Sequence, residues 1–234
     1  DVWDKNLLVN GQYALSQNVQ FYAFGHYGER NSISPAFYRA PGSNALVANI
    51  YPLGYLPLEN ADSIDDSIVA GIRGTTAGGW RWDVSANYGG NRVDYGTRNS
   101  INLALLHDTG NSPTSFHDGK LEAAQQSLDV DIAKDVSFGF LPNPVTVAFG
   151  AQYLRQTYDI HAGQPESWYT GTSGTSGGAQ GFGGYQPANA GSYARHDIAE
   201  YFSLETYLTD KLSGSAAIRH EDYSDFGNTT SGSL

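Results

Sequence analysis

Cysteine and methionine are both missing from the 234 residues. Without thiols the chain can hold no disulfide, no thiolate metal site and no cysteine nucleophile. Cationic side chains are scarce: 13 Lys and Arg stand against 24 Asp and Glu, a formal net charge of −11. Nucleic-acid binding draws on clustered Lys and Arg, so that class is excluded. No apolar run approaches the roughly 20 residues of a membrane-crossing helix, and no stretch has the form of a secretory signal. The first residue is Asp1 and the last, Leu234, falls inside a Ser/Thr/Gly stretch, so both ends are expected to be cuts in something longer.

What the chain has instead is alternation. From Asp197 to Tyr223 it reads as two strands back to back around a turn at Thr209-Asp210-Lys211. Ile198, Phe202, Leu204, Leu208, Leu212, Ala216 and Ile218 share one parity; Tyr201, Glu205, Arg219 and Glu221 share the other. Side chains on a strand point alternately to opposite faces, so each strand has a greasy face and a wet one. The sharpest case is Trp80, Trp82, Val84, Ala86 and Tyr88 against Arg81, Asp83, Ser85 and Asn87. Residues 119–134 also fit a helix through Leu121, Leu128 and Ile132, but Asp129 and Asp131 alternate so cleanly with Leu128, Val130 and Ile132 that a strand is preferred.

The expected fold is all-β: an antiparallel up-and-down meander of about eight strands, near residues 6–15, 19–30, 67–76, 80–92, 124–137, 145–159, 196–209 and 212–224. Short turns fall near residues 17, 78, 141 and 210, and the long segments 31–65, 93–123 and 160–195 lie between hairpins. In a meander successive connections sit at opposite ends, which puts all short turns at one end and all long loops at the other. Soluble domains rarely carry three such loops. A transmembrane barrel has this asymmetry, with apolar-out, polar-in strands and aromatic girdles. Trp80, Trp82, Val84, Phe149, Leu204 and Ile218 are then expected to face lipid, with Tyr27, Tyr88 and Tyr153 at the far girdle. Asn10, Gln12, Gln20, His26, Arg73, Arg81, Asp83, Asn87, Asp129, Asp131, Gln152, Glu205, Arg219 and Glu221 would line a wet interior.

The run Arg219-His220-Glu221-Asp222-Tyr223-Ser224-Asp225-Phe226-Gly227-Asn228-Thr229-Thr230 resembles a recurrent strand end of TonB-dependent outer-membrane receptors. The stretch before the hairpin, Gly181-Phe182-Gly183-Gly184-Tyr185-Gln186-Pro187-Ala188-Asn189-Ala190-Gly191-Ser192, is similar to the loop that precedes it in many members, and Arg195-His196-Asp197-Ile198-Ala199-Glu200-Tyr201 leads into the strand as it does in them. The resemblance covers about residues 180–230. It implies a 22-stranded barrel in the bacterial outer membrane, closed by a plug and importing a scarce small-molecule ligand: a siderophore, cobalamin, metal chelate or oligosaccharide. Its partners would be outer-membrane lipid, the plug and, through the plug, the energy-coupling TonB complex. Neither a TonB box nor a plug sequence stands in these residues, so the chain is expected to supply wall and surface loops only. A passive porin-like barrel and a soluble secreted β-sandwich, binding or hydrolytic, are the competing expectations.

No catalysis and no cofactor are expected. Gly174-Thr175-Ser176-Gly177-Gly178 fits G-x-S-x-G, but it lies in a Gly/Ser/Thr run rather than between a strand and a helix, as a nucleophile elbow requires. The six histidines show no helical i, i+4 pair. The acids Glu59, Asp62, Asp65 and Asp66 are weak candidates for a hard cation, with a solvated loop as the plainer reading; Glu221, Asp222 and Asp225 form a similar cluster. The loop aromatics Tyr51, Tyr55, Phe116, Trp168, Tyr169, Phe182 and Tyr185 are the candidate ligand contacts, against the reading that they pack the loops on one another.

Overall fold

The computed structural model describes residues 1–234 apart from Ser43, Ser173 and Asp210. Nine antiparallel strands form one sheet in chain order: β1 (Val2–Ala14), β2 (Val19–Pro35), β3 (Leu58–Thr75), β4 (Arg81–Arg98), β5 (Ser115–Val136), β6 (Val145–Ala162), β7 (Gly191–Thr209), β8 (Leu212–Tyr223) and β9 (Gly227–Ser233). Three short helices interrupt the connections: α1 (Ala45–Ile50), α2 (Leu103–Thr109) and α3 (Pro165–Trp168). Among the described residues, β1 pairs only with β2 and β9 only with β8, so both outer edges are unpaired.

Directly opposed residues share a face, and the register carries one face from strand to strand. Trp82, Ile132, Phe149, Phe202 and Ile218 form one continuous row. Phe21, Ile72, Val84, Val130 and Ala151 form the next. Trp80 lies just before β4 and packs edge-on against Phe149 at 6.0 Å. Leu204 opposes Val147 and Ala216. Among the described residues no second layer covers these side chains: Ile218 keeps 53% of its surface exposed and Phe149 39%.

The opposite face runs Gln20–Arg73–Asp83–Asp131–Gly150–Tyr201–Arg219, then Tyr22–Gly71–Ser85–Asp129–Gln152–Ala199–Glu221. It is the sheltered face. On β4 Val84, Ala86 and Tyr88 are exposed while Asp83, Ser85 and Asn87 are half-buried; on β7 Ile198 and Phe202 are exposed while Asp197 and Ala199 are buried. A single sheet with nothing packed on it shelters one face only by curving toward it. Hydrogen bonds that skip a strand reflect the same closeness. Tyr22 donates to Asp83 at 2.7 Å over Gly71, Tyr201 to Asp131 at 2.5 Å over Gly150, and Arg219 to Gln152 at 3.0 Å over Ala199. Each bond needs a small residue beneath it: a Cβ on Gly150 would lie 2.5 Å from both the Tyr201 ring and the Val130 carbonyl.

The strands outrun the expected boundaries. β3 begins at Leu58 rather than 67, β4 continues to Arg98, β5 begins at Ser115, β6 ends at Ala162 and β7 begins at Gly191. The three loops therefore shrink to 36–57, 99–114 and 163–190. Beyond Tyr88 the outward face turns polar while Val93, Leu121 and Ile160 sit inward, so the apolar-out alternation stops while the backbone ladder goes on. The outward face there carries Glu29, Arg92, Glu122 and Asp159, then Asp62, Asp94, Lys120 and His161, with Glu122 bonded at 2.9 Å to both Lys120 and His161. A further correction concerns the residues after 224, where no strand was expected. Residues 224–226 make a tight turn, Gly227 takes φ +91°, and β9 follows. Asn228, Thr229, Thr230 and Ser231 are polar on both parities, so only pairing with β8 reveals this strand. Long connections accordingly do not recur at every hairpin on that end. The expected turn residue Asp210 lies outside the described residues.

Gly150→Ala is expected to lower the urea midpoint, at a cost of about 1–3 kcal/mol from forced overpacking. Gly89→Ala, with open space at its Cβ position, is expected to leave the midpoint nearly unchanged in the same titration.

Candidate functional site: the mouth of the polar face

The three longer connections meet at one end of the sheet and are tied there by a small core. Ile101, Leu106 and Tyr55 are buried together, flanked by Val47, Ile50, Tyr51 and Leu103. Asn44 caps α1 by accepting from the Leu46 and Val47 amides. Asn102 caps α2 in the same way and, fully buried, donates at 2.8 Å to the carbonyls of both Glu166 and Tyr169. One side chain thus joins the connection 99–114 to the connection 163–190.

This arrangement divides the expected aromatic contacts. Tyr51 and Tyr55 stack at 4.5 Å in the loop core, and Phe116 is 5% exposed. These three pack loops and sheet, the alternative the sequence also offered. Trp168 donates its indole N–H to the Gly163 carbonyl at 3.0 Å. Tyr169 donates to Asp108 at 3.0 Å. Asp108 also bonds His107 and the Thr172 amide, and this set holds its carboxyl below the usual range. Phe182 and Tyr185 do come together, with ring centroids 5.5 Å apart, and both meet Tyr95, at 5.7 and 6.1 Å. Tyr95 was not singled out from the sequence. Its inward parity on β4 was the available signal, but alternation has faded by Val93.

The weak cation candidates do not converge. Asp62, Asp65 and Asp66 lie on β3, not in a loop, and strand alternation sends Asp65 to the sheltered face and Asp62 and Asp66 to the other. Asp65 accepts from Asn91 at 2.6 Å and Asp62 from Asn31 at 2.9 Å. Among the described residues no group of three or more His, Asp or Glu could hold a metal ion. Gly174-Thr175-Ser176-Gly177-Gly178 lies in irregular backbone, with neither the strand nor the helix of a nucleophile elbow.

A group missed entirely by sequence reasoning is Asp118. The β4–β5 register shifts at Tyr95/Gly96, leaving Asp118 unpaired in a bulge followed by Gly119 at φ +118°. Bulges re-aim side chains, and this one sends Asp118 into a fully buried position, accepting from the Thr97 hydroxyl. Its second carboxylate oxygen has no partner. Its own carbonyl accepts from the Tyr185 amide at 2.7 Å, and Thr97 also reaches the Phe182 carbonyl at 3.4 Å. Asp118 stands beyond the apolar band, and burial, aided by the nearby Glu59 charge, pushes its carboxyl up to about 7.

Below this cap, between β2 and β7, the sheltered face holds a concavity of about 800 Å³. Asn91, Gln125, Gln156 and Arg195 line it, with Tyr158 and Tyr193 as a directly opposed cross-strand pair. Gln156 donates to Gln125 at 3.2 Å and accepts from Arg195 at 2.7 Å. No family model, no curated protein and no solved structure matches the chain.

A carboxyl whose folded pKa is raised binds a proton in the folded state that the unfolded chain has already released. Stability contributed by protonated Asp118 is therefore present at low pH and lost as pH rises between about 4 and 7. Asp118→Asn is expected to flatten that slope, read as denaturant midpoints across the interval. An unchanged slope would remove Asp118 as its source.

Proposed function

We propose that this chain is wall and mouth of a transmembrane β-barrel of the TonB-dependent outer-membrane receptor type, serving uptake of a scarce small molecule. One observation carries the reading. The sheet has an apolar face with no second layer on it and a polar face toward which it curves. In a soluble sandwich the apolar face would be the covered one.

The dimensions fit. From Trp80 to Tyr88 the outward face is apolar over nine positions, about 30 Å of strand at roughly 3.3 Å per residue. Tilted by about 35–45°, that length projects to roughly 21–25 Å along the membrane normal, close to the roughly 25 Å apolar band of outer-membrane barrels. Trp80 and Trp82 bound it near the short turns, and Tyr27, Tyr88 and Tyr153 near the far end. Beyond lies the charged belt of Glu29, Arg92, Glu122 and Asp159. The segment from Arg219 to Thr230, which carries the family resemblance, ends β8 and turns at Ser224–Phe226 on the same side as the longer connections. The unpaired edges of β1 and β9 are where further strands would continue the wall.

In lipid vesicles, Val84→Arg is expected to cost about 2–4 kcal/mol if Val84 sits near the bilayer midplane, lowering the heat-modifiable folded fraction in a urea titration. Ser85→Arg, one residue on but facing inward, is expected to fold nearly as well as the parent. Equal behaviour of the two variants, or folding of the parent chain in water without detergent, would overturn the membrane reading. Bromine-labelled lipid chains are further expected to quench Trp80 and Trp82 and to spare Trp168.

A further inference from the structure

Resting on that reading, we propose that the concavity on the polar face binds an uncharged, polyhydroxylated ligand of the oligosaccharide class. Its volume, about 800 Å³, falls within the roughly 300–1,000 Å³ of small-molecule sites. Its lining decides the chemistry. Four side-chain amides, Asn87, Asn91, Gln125 and Gln156, stand among the hydrogen-bonding groups, and each offers both donors and an acceptor. A hydroxyl is itself donor and acceptor, so a sugar ring is the natural complement of such a surface. Asn91 and Gln156 are held in place by Asp65 and Arg195, which orients their remaining lone pairs and N–H groups before any ligand arrives. Gln125 accepts from Gln156 through its side-chain oxygen and lines the same space.

Aromatic rings supply the other half of saccharide recognition. Tyr158 and Tyr193 stand side by side across β6 and β7, 42% and 59% exposed. They present amphipathic faces to the C–H side of a sugar while their hydroxyls remain available. The Tyr95, Phe182 and Tyr185 trio lies above them, toward the loops. The small residues Ser67, Gly89 and Ala123 keep the floor low between these walls.

The charge balance excludes the competing ligand classes. Arg195 is the lone permanent cation among the described lining residues, and its Nε is already committed to Gln156. The acids Asp65 and Asp225 also border the space. A phosphorylated or polyanionic ligand, including an anionic ferric chelate, would meet net repulsion there rather than the Arg-rich setting it requires.

The experiment is calorimetric titration of the detergent-folded 234-residue chain with maltohexaose, cellohexaose and xylohexaose, alongside hexagalacturonate and ferric citrate. At least one neutral hexasaccharide is expected to bind, with little change between low and high salt. Tyr193→Ala should weaken it about tenfold, Tyr193→Phe should recover most of that loss, and Gln125→Ala, on the strand next to Tyr158, should also weaken it. Absence of binding by all three neutral sugars overturns the assignment. So does tighter, Tyr193-dependent binding of either anionic probe. Heat-modifiable migration of the same sample separates the two levels: a detergent-folded chain that binds no sugar overturns the ligand class alone, whereas a chain that folds in water without detergent overturns the barrel reading beneath it.

Discussion

The backbone ladder between neighbouring strands is the constraint from which the rest of the molecule follows. Each strand pairs with the one before and after it in the chain, and directly opposed residues share a face. The side-chain period is two, so a slip of one residue in any pair would send Trp82 inward and Asp83 outward across that boundary. The observed registers avoid this at every step from β2 to β8. They carry an apolar row from Trp82 to Ile218 and, on the other side, a polar row from Gln20 to Arg219. Face identity is therefore a property of the sheet, while each strand holds only a local copy of it.

Curvature follows from what the polar face can accommodate. Tyr22, Tyr201 and Arg219 reach partners two strands away, and the intervening Gly71, Gly150 and Ala199 leave room for them. On the outward face bulky side chains spread, as a convex surface permits. At the mouth the same ladder is broken once, at the β4–β5 bulge, and the break turns Asp118 under the connection that carries Phe182 and Tyr185. Asn102 fastens that connection to α2 from the other side. Two buried polar residues thus hold the loops above the concavity, Asn102 by donating to two carbonyls and Asp118 by accepting the Tyr185 amide on its own carbonyl.

Alternation was legible wherever one face is greasy and the other wet. Trp80 to Tyr88, Leu128 to Ile132 and Ile198 to Leu204 disclosed both strand and facing without any tertiary information. Legibility stopped where both faces are polar. Residues 58–66 and 227–233 hold their strand conformation through hydrogen bonds to neighbours, and those bonds leave no mark on side-chain type. The mouth was harder still. Tyr51 and Tyr55 have the composition of ligand-binding aromatics, yet they stack into the loop core. Tyr95 and Asp118 carried no local signal, because a bulge is a mismatch between two strands and cannot be seen in either one.

By itself, then, the sequence determined the all-β class, the polarity of the two faces wherever they differ, the tight turns near residues 17, 78 and 141, and the absence of thiol chemistry. These depend on residues within a few positions of each other. Tertiary structure decided how far the strands run, that a ninth follows Phe226, which aromatics face the concavity, and which carboxyl is buried. Those outcomes rest on contacts between residues tens of positions apart, such as Thr97 with Asp118 and Gln156 with Arg195, and only the shared register of the sheet brings such pairs together.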